Sequence, residues 1–406
     1  MRFVLVSTHV DQTTGYSKVA HNLLRQVSSL APKVKTFHFG FQRHPDRKNV
    51  RKLPDNVTGY DAAANEDPRE EGFGFNKINE YLEMVRPDVV MIYNDPLIIC
   101  KFVEAMKYDK ATSPFKLWLY VDQVYKGIAQ PLVDTMNKNA DAIYCFTKAW
   151  AETYASYGEG PTPKVIEHGL DAAEFTCMSR DQRMSLRRNL KIPTDAIVFL
   201  NANRNSQRKR LDTMIMGFVH LMSKKPDAPL YLMVVTAMNP QQGAFYDLQR
   251  IYINELKLAN LDPAAFASRL MIVDTAPPNT LTDAQINEIY NITDIGVNTS
   301  DGEGFGLCQL EHLYTGAPQV VTTVGTYEAF LNDSVATFVP PSGLQYFAGS
   351  MPLGFTAPTF SREDIASAME DAVMNLDTRK AAIRSYPFKS WSKVCDSWLE
   401  DLHRTS

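Results

Sequence analysis

The sequence has no long hydrophobic run and no excess of charge of either sign. No stretch of about 18 apolar residues occurs, so no membrane-spanning helix is predicted. The opening MRFVLVSTHV is too short and lacks the cleavage site of a signal peptide. Forty-two basic residues face 46 acidic ones, for a net charge of −4. This balance argues against a nucleic-acid partner and allows at most peripheral membrane contact.

Cysteine is scarce and dispersed. An odd set of five, with no C-x-x-C pair, is typical of reduced thiols and excludes a disulfide framework or a cysteine metal site; the positions are Cys100, Cys145, Cys177, Cys308 and Cys395. We therefore expect a cytoplasmic protein. Hydrophobic residues make up 45% and charged residues 22%, which excludes a disordered, collagen-like or coiled-coil chain.

Short apolar runs alternate with helical patterns in the first part of the chain. Phe3–Val6 is a continuous apolar run, followed by the polar loop VDQTTGYS and then by KVAHNLLRQVSSL at helical spacing. This alternation predicts a doubly wound parallel α/β sheet. Further predicted strands are Val34–Phe39, Asp88–Tyr93, Lys116–Val121 and Asp141–Phe146, with helices near Lys77–Val85 and Leu97–Lys107. The polar segment Arg43–Gly74 interrupts the alternation, and we expect a solvated loop there.

The alternation restarts after the charged segment DQRMSLRRNL, with predicted strands at Ile197–Asn201, Leu230–Val235, Leu270–Asp274, Ile295–Asn298 and Gln319–Thr322 and a helix at Asp283–Tyr290. The sequence therefore predicts two Rossmann-like domains, residues 1–180 and 181–387, facing each other across a ligand cleft. Residues 342–358 look irregular. The closing segment 388–406 is an amphipathic helix, assigned to the first domain.

The segment NTSDGEGFGLCQLEHLYTGAPQVVT is the most informative. It follows a strand, passes through three glycines and opens a predicted helix at about Leu307, where successive backbone amides can bind an anion. Glu311 lies where a carboxylate can accept hydrogen bonds from ribose hydroxyls, and Glu303 would point at the group that the phosphates carry. Helix-start glutamates can also merely complement the helix dipole. The spacing Glu303-x7-Glu311 around the glycines favours the binding site.

A basic loop, NANRNSQRKR, follows the first strand of the second domain. Arg204 and Lys209 would neutralise a diphosphate and stabilise a leaving nucleotide, with Lys209 exposed. Alternatively the loop is a solvated helix start or a nucleic-acid patch, since Arg208 and Arg210 are adjacent. Two nearby glutamates disfavour a polyanion, and we expect Arg208 to be solvated.

These motifs resemble those of retaining GT-B glycosyltransferases of family 4, with a closer likeness to one encoded by a large algal DNA virus. The family's E-x7-E motif stands here as EGFGLCQLE, followed by TGAPQVV, and its R-x4-K pair matches Arg204 and Lys209. Arg210 replaces the usual glycine. The family's N-G-V-D segment appears as HGLD at 168–171, and its closing helix resembles SWSKVCDSWLEDL.

The resemblance implies roles for individual residues. The catalytic group would comprise Glu303 at the donor sugar, Arg204 and Lys209 at the diphosphate, and Asp122. Asp122 follows a strand where many family members have a histidine, so it either makes that contact with the sugar or caps the next turn. The donor would otherwise be bound by Glu311 at the ribose and by Gly15, Gly304, Phe305, Gly306, Leu307, Asp274 and Thr275.

The resemblance also implies the reaction. A hexose, most often mannose from GDP-mannose and next UDP-glucose, would pass with retention to a glycan or other hydroxyl acceptor. No cofactor is implied, and no divalent metal, since D-x-D is absent; a homodimer is left open. Alternatives are a GT-B epimerase, a phosphorylase, for which no lysine can be identified as a pyridoxal phosphate anchor, and a non-catalytic nucleotide-sugar binder. A dinucleotide oxidoreductase would need G-x-G-x-x-G after the first strand, and STHVDQTTGYS does not provide it.

Overall fold

The computed structural model describes residues 1–45, 51–347 and 352–405. The chain forms two compact units. Unit 1 comprises Met1–Gly169, Tyr346–Thr356 and Lys389–Ser406, and unit 2 comprises Leu170–Gln345 and Ala357–Phe388. The division thus falls at Gly169 and not at residue 180, and the first unit also takes in residues 346–356.

The strands, in chain order, are β1 (Arg2–Thr8), β2 (Lys35–Phe41), β3 (Val57–Asp61), β4 (Val89–Asn94), β5 (Lys116–Val121), β6 (Ala142–Cys145), β7 (Lys164–Val165), β8 (Ile197–Asn201), β9 (Leu230–Thr236), β10 (Leu270–Asp274), β11 (Ile295–Asn298), β12 (Gln319–Thr322), β13 (Ala336–Val339), β14 (Gly343–Tyr346) and β15 (Thr356–Thr359). The α-helices are α1 (Gly15–Leu30), α2 (Ile78–Val85), α3 (Pro96–Met106), α4 (Gln130–Asn139), α5 (Lys148–Ala155), α6 (Arg180–Asn189), α7 (Leu211–Lys224), α8 (Leu248–Leu258), α9 (Pro263–Phe266), α10 (Asp283–Ile292), α11 (Leu307–Tyr314), α12 (Arg362–Met374), α13 (Leu376–Ile383) and α14 (Trp391–Thr405).

Unit 1 is built on a parallel sheet with strand order β3-β2-β1-β4-β5-β6-β7. The central strands β1 and β4 are buried on both faces, which explains their continuous apolar runs. The order reverses between them, so the loops that follow β1 and β4 leave the same sheet edge side by side. Helix α14 belongs to this unit, and its Trp398 ring lies 5.8 Å from the ring of Phe3.

The expectation of a solvated loop over Arg43–Gly74 is wrong for much of its length. Val57–Asp61 pairs in parallel with β2 as the edge strand of the sheet. The Phe73 ring packs 5.2 Å from that of Phe41, so the end of the segment belongs to the core. Residues 46–50 lie outside the described residues.

Unit 2 is a second parallel sheet, with strand order β10-β9-β8-β11-β12-β13. Its first five strands occupy the positions that the sequence predicted, to within one residue. The order reverses between β8 and β11, and the basic loop and the glycine loop follow these two strands. The prediction of two Rossmann-like parallel α/β domains is therefore confirmed.

The segment 342–358 is more regular than expected, because β14 and β15 form a small two-stranded sheet. Within unit 1, Ala129 N donates to Pro352 O (2.9 Å), and the rings of Tyr125 and Phe347 meet edge to face at 4.9 Å. Residues 348–351 lie outside the described residues. None of the helices within the described ranges has the length and apolar character needed to cross a membrane.

Candidate functional site

Two loops of unit 2 come together where its strand order reverses. The basic loop leaves β8, passes through a short 3-10 helix at Gln207–Lys209 and enters α7. The glycine loop leaves β11 and enters α11 at Leu307, as predicted. The loops are joined by backbone contact, since Asp301 N donates to Arg208 O (2.9 Å) and Thr299 Oγ1 donates to Arg210 O (3.0 Å).

A buried ion pair connects the two predicted catalytic positions. The Lys209 ammonium donates to Glu303 Oε2, and the two residues are only 6% and 7% exposed. Burial opposes ionisation of Glu303, but the positive charges of Lys209 and Arg208 hold its pKa at about 2. Burial lowers the pKa of Lys209 although Glu303 acts to raise it. The expectation that Lys209 is exposed is therefore wrong, because Glu303 and the glycine loop enclose it.

Arg208 is also not the solvated neighbour that the sequence suggested. Its Nη1 donates to Gly302 O (2.7 Å) and lies 3.5 Å from Glu303 Oε1. The next arginine, Arg210, points elsewhere and makes a two-pronged contact with Asp212, both distances being 3.1 Å. Arg210 has the left-handed φ of +47°, a backbone conformation that glycine adopts without strain.

Arg204 lies on the same loop as Lys209 but is exposed. Its carbonyl accepts from Ser206 N (2.8 Å), which bends the loop before the 3-10 helix. A long exposed guanidinium on this loop can reach an anion above the sheet edge. The structure thus brings Lys209 and Glu303 into direct contact, whereas Arg204 is exposed five residues earlier on the same loop.

The glycine turn before α11 is fixed by aromatic packing. Gly306 has φ of +97°, and a Cβ placed there would lie 2.5 Å from the Tyr327 ring. Phe305 stacks on Phe330 with ring centroids 4.8 Å apart, and Thr326 Oγ1 donates to Gly304 O (2.7 Å). No side chain caps the start of α11. The turn therefore holds the start of α11, the positive end of the helix dipole, at the end of the glycine loop.

Glu311 lies in the second turn of α11 and is buried, at 3% exposure. Tyr290 Oη donates to its Oε2 (3.1 Å), and the Tyr290 ring stacks on His312 at 5.2 Å. Burial, with the charge of Glu311, raises the Tyr290 pKa well above its ordinary value, so the hydroxyl remains a donor. Sequence reasoning missed Tyr290, which sits in a predicted helix at a spacing typical of core residues.

Asp274 and Thr275 end β10 at the same sheet edge. Asp274 Oδ1 accepts from Met238 N (3.0 Å) and Ala276 N (2.9 Å), so one carboxylate oxygen orders the backbone of two loops. Thr275 N donates to Thr236 O (3.1 Å). These residues lie two strands from β8, on the side away from β11.

The two remaining predicted residues belong to unit 1. Gly15 is the first residue of α1, and a Cβ there would meet nothing within 4 Å. Asp122 follows β5, and its carboxylate accepts a hydrogen bond from the Tyr16 hydroxyl, a partner that the sequence did not indicate. Burial and the Asp122 charge raise the pKa of Tyr16 well above its ordinary value. The two residues thus lie at the carboxyl edge of the sheet of unit 1, linked through Tyr16.

The parts of the chain that the structure describes contain no group of three or more His, Cys, Asp or Glu side chains arranged to hold a metal ion. The cations at the glycine loop are the side chains of Lys209 and Arg208.

No family model matches the chain. Curated relatives match part of it. One is the D-inositol 3-phosphate glycosyltransferase of Streptomyces bingchenggensis, 23% identical over 216 residues, which are 53% of this chain and 42% of the relative. Another is the mannosylfructose-phosphate synthase of Agrobacterium fabrum, 27% identical over 162 residues, 40% of this chain and 32% of the relative. The chain spans less than half the length of these relatives.

Solved structures match the whole chain. The sucrose-phosphate synthase of Thermosynechococcus elongatus superposes with a TM-score of 0.70 at 15% identity, covering 100% of this chain and 98% of that one. The HepE protein of Anabaena, solved with UDP and glucose, superposes with a TM-score of 0.67 at 12% identity, covering both chains fully. The chain has the GT-B fold, and these relatives and structural neighbours include named glycosyltransferases and sugar-phosphate synthases.

Proposed function

We propose that this chain transfers a hexose from a nucleotide sugar to a hydroxyl acceptor, with retention of the anomeric configuration and without a divalent metal. The observation that carries the proposal is the buried Lys209–Glu303 pair, with Arg208 beside it, at the strand-order reversal of unit 2. Open α/β sheets bind nucleotides at this position. The names of the partial relatives and the GT-B fold support the same chemistry.

Lys209, Arg204 and the amides of residues 304–307 would bind the diphosphate. Negative charge grows on the leaving nucleotide as the glycosidic bond breaks, so fixed cations and the α11 dipole stabilise the transition state more than the ground state. These groups would replace the metal ion that bridges the diphosphate in other transferases, in line with the absence of D-x-D.

The two glutamates would orient the donor. A carboxylate whose pKa is about 2 is fully charged at neutral pH, so Glu303 can accept hydrogen bonds from the hydroxyls of the transferred sugar. Glu311 would accept from the ribose, with Tyr290 fixing one of its oxygens.

Retention is proposed from the resemblance of the E-x7-E motif to that of retaining transferases. A retaining glycosidase needs a carboxylate nucleophile opposite the leaving group. Glu303 is instead neutralised by two cations and is a poor nucleophile. A double displacement through Glu303 is therefore disfavoured. Retention would then require the acceptor to attack on the face from which the nucleotide leaves, with its position set by the protein.

For the donor we propose a UDP-hexose first, with GDP-mannose second. The structural neighbour HepE was solved with UDP and glucose, whereas a mannose donor is supported by the motif resemblance and by the name of one partial relative, a mannosylfructose-phosphate synthase. The partial relatives are named for phosphorylated polyol or sugar acceptors and products, so a phosphorylated sugar or polyol is the acceptor class to test first.

The test is calorimetry with UDP, GDP, UDP-glucose and GDP-mannose, followed by turnover of the bound donor with a panel of acceptors and NMR of the product. We expect one nucleotide to bind, metal-free transfer and an unchanged anomeric configuration. Donor isomerised in the absence of acceptor would identify an epimerase. Tight donor binding without turnover would identify a non-catalytic binder. Inversion at the anomeric carbon would contradict the mechanism.

A further inference from the structure

Two cations share one buried carboxylate in unit 2. Lys209 binds Oε2 of Glu303, and Arg208 lies 3.5 Å from its Oε1 while donating to the neighbouring Gly302 O. Asn298 on β11 also acts to lower the pKa of this carboxylate. A buried carboxylate needs such partners because an unpaired charge away from water is strongly unfavourable.

The proposed function gives Lys209 a second anion to bind. A nucleotide diphosphate that draws the ammonium away from Glu303 would leave a buried carboxylate close to a polyanion. The two negative charges would then repel, and nucleotide binding would be opposed by the residue that must orient the sugar. A site that uses Lys209 for both anions therefore needs another cation on Glu303.

We propose that Arg208 is this cation: a positioning residue that keeps Glu303 neutralised and in place when Lys209 turns to the diphosphate. The inference rests on the proposed function. Its geometry suits the role, because the main chain and the side chain of Arg208 both bind the glycine loop, at Asp301 N (2.9 Å) and Gly302 O (2.7 Å). Arg208 is thus fixed to the segment that carries Glu303, on the Oε1 side, whereas Lys209 occupies the other oxygen.

Two other roles for Arg208 predict different results. If Arg208 only holds the loop through Gly302 O, any side chain that keeps this hydrogen bond should suffice. If Arg208 itself binds the phosphates, its loss should weaken nucleotide binding whether or not Glu303 is charged. In the proposed role, the loss of Arg208 matters only because Glu303 then holds Lys209 more strongly.

The experiment is a double-mutant cycle in the full chain, with affinity for UDP and GDP measured by calorimetry and melting temperature measured alongside. For the nucleotide that binds, we expect Arg208→Ala to weaken binding roughly tenfold, the value of one charge-assisted contact. Arg208→Gln should weaken nucleotide binding equally, because glutamine carries no charge. Its amide can still donate to Gly302 O, so that this carbonyl keeps a partner. Arg208→Lys should retain most of the affinity.

Adding Glu303→Gln to Arg208→Ala should restore nucleotide affinity to within about threefold of Glu303→Gln alone, without restoring turnover. The matched control is Arg210→Ala, two residues away on the same turn, which should bind as the parent does because its partner is Asp212.

Normal affinity in Arg208→Gln would overturn the charge role in favour of a loop contact. A loss that persists in the Glu303→Gln background would overturn it in favour of a direct phosphate contact. If the parent chain binds neither nucleotide, the proposed function fails, and the inference with it. If the parent binds and turns over donor while Arg208→Ala and Arg210→Ala behave alike, the inference alone fails.

Discussion

At the residue scale, the two glutamates of the E-x7-E motif have different electrostatic surroundings. Glu303 neutralises Lys209 and Arg208, whereas Glu311 accepts from a neutral tyrosine. Glu303→Gln should therefore keep or raise the affinity for free nucleotide, because it releases Lys209, and should lower turnover at least roughly a hundredfold. Glu311→Gln should weaken nucleotide and nucleotide sugar alike, by about tenfold. Calorimetry with nucleotide and donor, beside turnover rates, checks both. Equal losses of nucleotide affinity in the two variants would contradict the assigned geometry.

Lys209→Ala should weaken nucleotide binding by about ten- to a hundredfold, through the loss of a charge-assisted contact with phosphate. The burial of Lys209 adds a second expectation, which concerns the stability of the fold. The variant leaves Glu303 with one cation fewer in a buried site, so we expect unfolding to become easier by about 1–3 kcal/mol. Urea unfolding followed by far-ultraviolet circular dichroism measures this, with Lys148→Ala at an exposed lysine as control. Unchanged stability would mean that the ion pair is not formed in solution.

These residue contacts mark a limit of sequence reasoning. The spacing of Lys209 and Glu303 indicated their chemistry, but Lys209 contacts a carboxylate 94 residues away. No local pattern shows that a lysine is buried, because lysine is mostly exposed and burial depends on its partner. Arg208 was misplaced for the same reason. Tyr290 was missed because a tyrosine at core spacing gives no sign of the carboxylate that it meets.

At the element scale, helix α11 lies between two glycines that have similar φ angles, Gly306 before its start and Gly316 after its end. Alanine variants at these two positions can therefore be compared directly. Gly306 has φ of +97° and faces the Tyr327 ring, whereas Gly316 has φ of +100° with nothing within 4 Å of a Cβ. Both alanine variants incur backbone strain of about 1–3 kcal/mol, but Gly306→Ala must also displace Tyr327 and the turn that precedes the helix. We expect Gly306→Ala to lose more stability than Gly316→Ala and to lose donor affinity as well. Chemical unfolding and calorimetry compare them. If both variants lost donor affinity equally, the turn at Gly306 would have no specific part in the donor site.

The elements most visible in the sequence are those buried on both faces. The central strands β5, β8, β11 and β12 lie where their apolar runs predicted them, because central parallel strands are continuously hydrophobic. Strand β10 was also predicted, although it is a partly exposed edge strand, because its sequence LMIVD is mostly apolar. The edge strand β3 was missed since its sequence, VTGYD, is short, polar and contains glycine. An edge strand is specified mainly by its neighbour β2, and its own sequence carries little periodic signal.

At the scale of the whole molecule, the restart of the strand–helix alternation predicted two domains, and the fold class is confirmed. The boundaries could not be read from periodicity. Residues 346–356 belong to unit 1 although they are surrounded in sequence by unit 2. Their assignment depends on contacts such as Ala129 N to Pro352 O, which are far apart along the chain.

The proposed independence of divalent metal belongs to the scale of the whole molecule. We expect donor turnover to be unchanged by EDTA and by added magnesium or manganese, because side-chain cations and the α11 start would carry the diphosphate charge. The check is the steady-state rate of metal-stripped protein, with a transferase containing D-x-D assayed in parallel. If activity were lost in EDTA and restored by manganese, a metal ion would balance the charge of the diphosphate, contrary to this prediction.

The stability of the fold should fall in acid because several histidines are buried. Unfolding of unit 1 can be followed separately by tryptophan fluorescence, because all four tryptophans lie in this unit. His168 packs against the rings of Phe146 (4.4 Å) and Trp391 (5.6 Å), and burial lowers its pKa from 6.5 to about 3. As the pH falls, His168 therefore takes up a proton near pH 6.5 in the unfolded chain but only near pH 3 in the folded chain. Stability is fully present above pH 6.5 and is lost as the pH falls between these values, by about 2 kcal/mol per such histidine at pH 5.

His168→Asn removes this group and should make unfolding of unit 1 less dependent on pH between 7 and 5, although the lost ring packing lowers stability at pH 7.5. Urea unfolding followed by tryptophan fluorescence at several pH values measures the slope. His220→Asn, in α7 of unit 2, is the control and should leave the slope as in the parent chain, because the tryptophans report on unit 1. Because a lost ring contact lowers the unfolding free energy by the same amount at every pH, only a changed slope reports the proton. A His168→Asn slope equal to that of the parent would show that the imidazole is protonated in the folded chain, with its ring accessible to water.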